Sequence, residues 1–170
     1  MKVIFGSVYA MKPNVGDVVV ATKVYGYELG NESEAFLPRS EAGNISHYLV
    51  QRARAEARKT EWRRDLRMPS GSNPGALVAP IISSDNVVRS TRDQAYEFIR
   101  ERYRDVRAID SGAYGVVQAA SSMQVDALIV CGIADLLDAE KYSDEQRGLA
   151  VAAAGAFAFE VLTRERSGVD

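Results

Sequence analysis

The sequence predicts an α/β fold: three α/β/α layers around a mixed, largely parallel sheet. Three observations carry this. From Leu77 onward, short apolar runs alternate with helical patterns in the order strand, helix, strand, helix, strand, helix, the mark of a doubly wound sheet. The run Asp126 to Ile133 is apolar on both faces, as strands sandwiched between helices are. The chain has 170 residues, 46% hydrophobic and 26% charged, the size and balance of one globular domain, 1–170.

Each element follows from its local chemistry. "VGDVVVATKVYGYE", Val15 to Glu28, opens on a Gly-Asp turn and is rich in Val, Thr and Tyr, so it predicts a strand, continuous or as two joined segments. Asn31 to Asn44 is polar with Gly and Pro and predicts a loop. Ser46 to about Arg67 predicts one long helix with Leu49, Ala53, Ala57 and Trp62 along one side. Met68 to Ala76 predicts a second loop, and "LVAPIIS", Leu77 to Ser83, a short buried strand. "STRDQAYEFIRERY" opens with a Ser or Thr cap and carries Ala95, Phe98 and Ile99 on one face, a helix. "VRAID" is a short strand and "GAYGVVQAASSM" an Ala-rich helix. Ser143 and Gln146 form a capping box for a last helix that ends near Arg164. "SGVD" predicts a frayed tail.

Composition narrows the classes. A net charge of −2 points neither to nucleic acid nor to a membrane surface. No 18-residue apolar stretch and no basic-then-apolar leader is present, so a cytoplasmic protein is expected. The single cysteine, Cys131, fits a reducing compartment and reads as a small core residue. The single histidine, His47, reads as a surface or capping residue at a helix start. No Cys/His cluster has metal spacing, so no metal is expected. Neither a P-loop nor a Gly-x-Gly-x-x-Gly is found. Between Gln51 and Arg67 seven basic residues face three acidic ones; their interleaving and the scarcity of aromatics predict a solvated helix face rather than a nucleic-acid surface.

In open α/β sheets ligands sit beyond the carboxyl ends of the strands. Three strand ends carry an aspartate there: Asp85 after Ser83-Ser84, Asp110 before Ser111-Gly112, and Asp135 after Gly132-Ile133-Ala134. One such aspartate is commonly a turn or cap residue. Three on one rim predict a site, and a carboxyl group at a semi-buried rim can act as a general acid.

These strand ends, in this order, resemble the purine nucleoside phosphorylase and uridine phosphorylase superfamily, and within it the methylthioadenosine/S-adenosylhomocysteine nucleosidase branch. "VGDVVVATKVYGYE" is similar to the family's Gly-Asp-Val-Val strand, "PIISSDNVV" to its Ala-Ser-Gly-Asp segment, and "AIDSGAYGVVQAA" to its Glu-Met-Glu segment and following helix. "VCGIADLLD" resembles Arg-Gly-Ile-Ser-Asp, and "AVAAAGAFAFEVL" the Ala-rich closing helix. The match runs from about Val15 to Leu162 and corresponds to roughly the C-terminal two-thirds of the family domain, without its first strands.

The resemblance implies cleavage of the N-glycosidic bond of a purine nucleoside, with Asp135 donating a proton to purine N7. It implies a base pocket at Ser84, Asp85, Val87 and Val88, and a sugar site at Asp110, Ser111 and Gly112. No cofactor is implied, only phosphate as co-substrate if the nucleophile is phosphate rather than water. A homo-oligomer is implied as well. The departures are specific. The second Glu and the Met of the sugar clamp are replaced, with Ser111 and Gly112 in that segment. The Arg and Ser of the closing signature are Cys131 and Ala134, and Ala134 has no hydroxyl with which to orient the acid. Loss of one charged hydrogen bond at the sugar costs about 1.5–3 kcal/mol. An inactive module that keeps a base pocket is therefore the alternative expectation, and a scaffold using the basic helix a third. The segment "MKVIF" is a candidate for a strand covering the sheet edge that the absent first strands would leave.

Overall fold

The computed structural model describes residues 14–26, 30–31, 37–38, 42–43, 45–67, 73–84, 90–137 and 143–163. Its centre is β1, Val18–Gly26, whose valines fill both faces of the sheet. On one edge β1 pairs in parallel with β5, Ala76–Ser83, which pairs in parallel with β6, Ala108–Asp110. The other edge of β1 is shared. β7, Val130–Gly132, runs antiparallel to its first half, and β4, Ala42–Gly43, antiparallel to its second. The register of β1 shifts between Ala21 and Val24, an irregularity that lies between those two partners. Two further short strands, β2 (Gly30–Asn31) and β3 (Leu37–Pro38), pair with each other.

Helices cover both faces, which completes the three layers. Val19, Ala21 and Val24 of β1 meet Ile99 of α2 (Gln94–Arg102) and Ala113 and Val117 of α3 (Ala113–Ser122), with Cys131 and Ile133 in the same cluster. Val18 and Val20 point the other way. They meet Ala53 of α1 (His47–Glu56), Trp62 of a 3₁₀ turn (Glu61–Arg63), and Ala153, Phe157 and Val161 of α4 (Asp144–Thr163). Alternation along a strand thus feeds two cores, and the shift after Ala21 puts Val24 on the same side as Ala21 although the two are three residues apart.

Several expectations are corrected. The long helix from Ser46 ends at Glu56. Glu56, buried, accepts from Lys59 Nζ at 2.7 Å, its carbonyl takes the Lys59 N–H, and the chain turns so that Trp62 meets Phe157 edge-on at 5.4 Å. Tertiary packing of one indole overrides the helical pattern. The helix expected from Ser90 starts at Gln94, because Ser90 N–H donates to Asp93 Oδ2 and Ser90 Oγ accepts from Arg92 N–H in a turn of their own. The strand expected over Asp126 to Ile133 shortens to three residues and is antiparallel to β1 rather than parallel. The loop expected over Asn31 to Asn44 contains two of the two-residue strand pieces, β3 and β4, and the second residue of β2. The capping box holds: Ser143 N–H donates to Gln146 Oε1 at 2.9 Å and Gln146 N–H to Ser143 Oγ at 3.3 Å. The segments "MKVIF" and "SGVD" lie outside the described residues.

Candidate active site

The carboxyl ends of β5 and β6 lie side by side, Ser83 opposite Asp110. Ser84 N–H donates to the Asp110 carbonyl at 2.8 Å. Asp110 Oδ2 accepts from the N–H of Gly112 at 2.8 Å and also from that of Ala113, so this carboxylate closes the first turn of α3. Ser83 Oγ accepts from Tyr114 N–H at 3.2 Å. Ser83, Ser84 and Asp110 are all buried. The polar groups of this rim therefore hold α3 onto the sheet. Ser111 and Gly112 beside them are exposed, and a Cβ on Gly112 would meet nothing within 4 Å, so the place expected to grip a sugar is open.

Asp135 stands two residues beyond Ile133, in a partly exposed segment. Ile133 N–H donates to the Asp17 carbonyl at 2.7 Å and Gly16 N–H to the Ile133 carbonyl at 2.8 Å. Asp17 in turn accepts through Oδ2 from Asn14 N–H at 2.8 Å and through Oδ1 from Gly75 N–H at 2.6 Å. Gly16 has φ 95°, a left-handed conformation that favours glycine. The Gly-Asp turn read as the opening of a strand thus ties together the start of β1, the entry to β5 and the exit of β7. Its signal in the sequence was Gly-Asp directly before a valine run; its reach to Ile133 was not legible.

Strand direction corrects the single rim. Because β7 is antiparallel to β1, with Gly132 beside Val18, Asp135 follows β7 at the amino end of β1. Ser84 and Asp110 leave β5 and β6 at the other end, where Gly26 of β1 is level with Ser83. The Cys131 thiol is pushed up to about 12, chiefly by burial and further by the Asp110 carboxylate. Asp85, Val87 and Val88 lie outside the described residues.

A second polar group was missed from the sequence. Tyr25, near the carboxyl end of β1, donates its OH to Asp105 Oδ2 at 3.0 Å and accepts from Lys23 Nζ at 3.4 Å. Burial first, then the Asp105 hydrogen bond, raises the phenol above its ordinary value. His47 is exposed at the start of α1, its ring 3.3 Å from Gln51 Nε2. Among the described residues no group of three or more His, Cys, Asp or Glu could hold a metal ion, and no helix is long and apolar enough to cross a membrane.

Comparison with known proteins places these features. The family model described as the phosphorylase superfamily matches residues 3–164. The ATP nucleosidase Cap17 of Escherichia coli strain KTE188 is 32% identical over 147 residues, covering 75% of this chain and 28% of that protein. Among solved structures, a 5′-methylthioadenosine/S-adenosylhomocysteine nucleosidase of Colwellia psychrerythraea 34H in complex with adenine superposes with a TM-score of 0.66 at 18% identity, over 94% of this chain and 64% of that one. The Neisseria meningitidis nucleosidase of the same name, in complex with methylthio-immucillin-A, gives 0.66 at 19%, over 95% and 67%. The futalosine hydrolase of Helicobacter pylori strain 26695 gives 0.60 at 18%, over 96% and 66%. The chain thus spans about 28% of the length of its curated relative and 64% of the first of these solved chains.

Proposed function

The chain belongs to the phosphorylase superfamily, and from that premise we propose that it acts in cleaving the N-glycosidic bond of an adenine nucleoside or nucleotide, with Asp135 as the acid at purine N7. The observation that carries the reading is the similarity to an ATP nucleosidase at 32% identity, joined to the fold it shares with methylthioadenosine/S-adenosylhomocysteine nucleosidases.

The chemistry asks little of the acid beyond position. As the C1′–N9 bond breaks, its electron pair passes to the base, and the sugar becomes oxocarbenium-like. A proton from the Asp135 carboxyl to N7 neutralises the base, and water or phosphate then forms the new bond to C1′. General acids of this kind contribute about 10²–10⁴-fold. The resemblance assigns Ser84, Asp85, Val87 and Val88 to the base side and Asp110, Ser111 and Gly112 to the sugar side; Ser84 and Asp110 leave the sheet at the end of β1 opposite Asp135, so whether acid and pocket serve one substrate is what the experiment below tests.

One observation favours a second reading, base binding without turnover. The Asp110 carboxylate is already engaged by two N–H groups, and Ser111 and Gly112 offer no carboxylate to hold ribose hydroxyls.

The deciding experiment is base release. The purified chain is incubated with ATP, adenosine, methylthioadenosine and S-adenosylhomocysteine, with and without phosphate, beside Asp135→Asn. Free adenine that falls about 10²–10⁴-fold in the variant is the expected result, and dependence on phosphate separates phosphorolysis from hydrolysis. Adenine binding by calorimetry with no release from any substrate replaces the enzyme with the binding module.

A further inference from the structure

Asp17 is a carboxylate to which the glycosidic chemistry gives no role. Both of its oxygens are taken by main-chain donors, Oδ2 by the N–H of Asn14 at 2.8 Å and Oδ1 by the N–H of Gly75 at 2.6 Å. Hydrogen bonds to an ionised acceptor are roughly twice as strong as neutral ones. This side chain therefore holds backbone. What it holds is the turn through Gly16, in its left-handed conformation, at the point where β1 starts and the chain enters β5.

The turn in its own right grips one residue from both sides. The Asp17 carbonyl accepts from the Ile133 N–H at 2.7 Å, and the Gly16 N–H donates to the Ile133 carbonyl at 2.8 Å. One residue earlier, Gly132 is level with Val18 in the ladder and stands backbone to backbone against Ala150 of α4. Ile133 and Ala134 are buried, and Asp135 is the first partly exposed residue after them. Ala134 has no polar side chain with which to orient its neighbour. Two peptide units, about 3.8 Å from each Cα to the next, thus separate Asp135 from a residue clamped at both of its polar groups.

We propose that Asp17 is a positioning residue for Asp135: its carboxylate fixes the Gly16–Asp17 turn, and the turn, through the two main-chain bonds to Ile133, sets where the Asp135 carboxyl stands. The use of Asp135 as the acid rests on the glycosidic reading; the clamp on its segment does not.

A displaced acid loses rate rather than affinity, because its proton reaches N7 only in the transition state, and a misplacement of about 1 Å costs about 10²-fold. In the full chain, at a temperature where circular dichroism shows parent and variant both folded, Asp17→Ala is expected to lower kcat for adenine release from ATP or methylthioadenosine about 10²-fold with KM nearly unchanged. Asp17→Asn keeps one acceptor oxygen and loses less; it is the variant read if Asp17→Ala does not fold. Pairing each with Asp135→Asn gives the discriminating readout. Once the acid is gone, removing Asp17 costs nothing further, whereas a side chain that only stabilises the fold subtracts the same factor in either background. A second measurement needs no turnover: hydrogen exchange at the Ile133 amide quickens at least about tenfold in the variant while that at Ile82 in β5 stays as in the parent. An unchanged kcat, equal losses in both backgrounds, or Ile133 exchange that rises only in step with Ile82 overturns the proposal. A parent that releases no adenine from either substrate sinks the glycosidic reading, and exchange at Ile133 then decides the clamp by itself, a selective rise upholding it and no change overturning it.

Discussion

Gly132 has no room for a side chain. A Cβ there would overlap the carbonyl of Ala150 on α4, so β7 and α4 touch backbone to backbone. Gly132→Ala is expected to cost about 1–3 kcal/mol or more, the range for overpacking, and to lower the thermal midpoint. A midpoint equal to that of the parent would show that α4 can shift at no cost. Beside it, the Cys131 thiol is raised to about 12 by burial and by Asp110. A thiol raised in the fold is neutral there at a pH where the unfolded chain has already ionised, so its stabilisation is complete below about pH 9 and is lost as pH rises from there toward 12. Denaturant titrations of the parent and Cys131→Ala between pH 8 and 11 should show the parent's extra decline; parallel curves would remove the thiol as its cause. That Cys131 is a core residue was legible from the apolar run before it. That Asp110 caps α3 was not, because an aspartate after a strand looks the same whether its carboxylate faces a ligand or the N–H groups of the next turn.

Among the elements, α4 was read closely, since a capping box is a local device and its hydrogen bonds need nothing beyond four residues. Ser143→Ala is expected to destabilise by about 1 kcal/mol, seen as a shift in urea midpoint with unchanged slope, and Ser143→Asp to restore most of it. A loss from Ser143→Ala that Ser143→Asp does not reduce would count against the cap. Longer-range features were not legible. The stop of α1 at Glu56 depends on Trp62 finding Phe157 nearly a hundred residues on. The direction of β7 depends on which edge of β1 it meets, and an apolar run reads alike in either direction. That one reversal separates Asp135 by strand polarity from Ser84 and Asp110.

For the whole molecule, the fold class followed from alternation of strands and helices, and the two cores from the alternation of valines in β1. The second core rests on few large side chains, Trp62 and Phe157 foremost. Trp62→Ala is therefore expected to cost about 3–5 kcal/mol and to lower the unfolding midpoint of the whole domain in a single transition. A second transition confined to α1 and α4 would instead show that the two faces unfold independently. The shared edge of β1 also dictates an order of assembly. Val18 waits for Gly132, which leaves the ribosome more than a hundred residues later. At about 5–20 residues per second the first half of the central strand of a nascent chain thus spends on the order of ten seconds with that edge unpaired, while its second half can already meet β4.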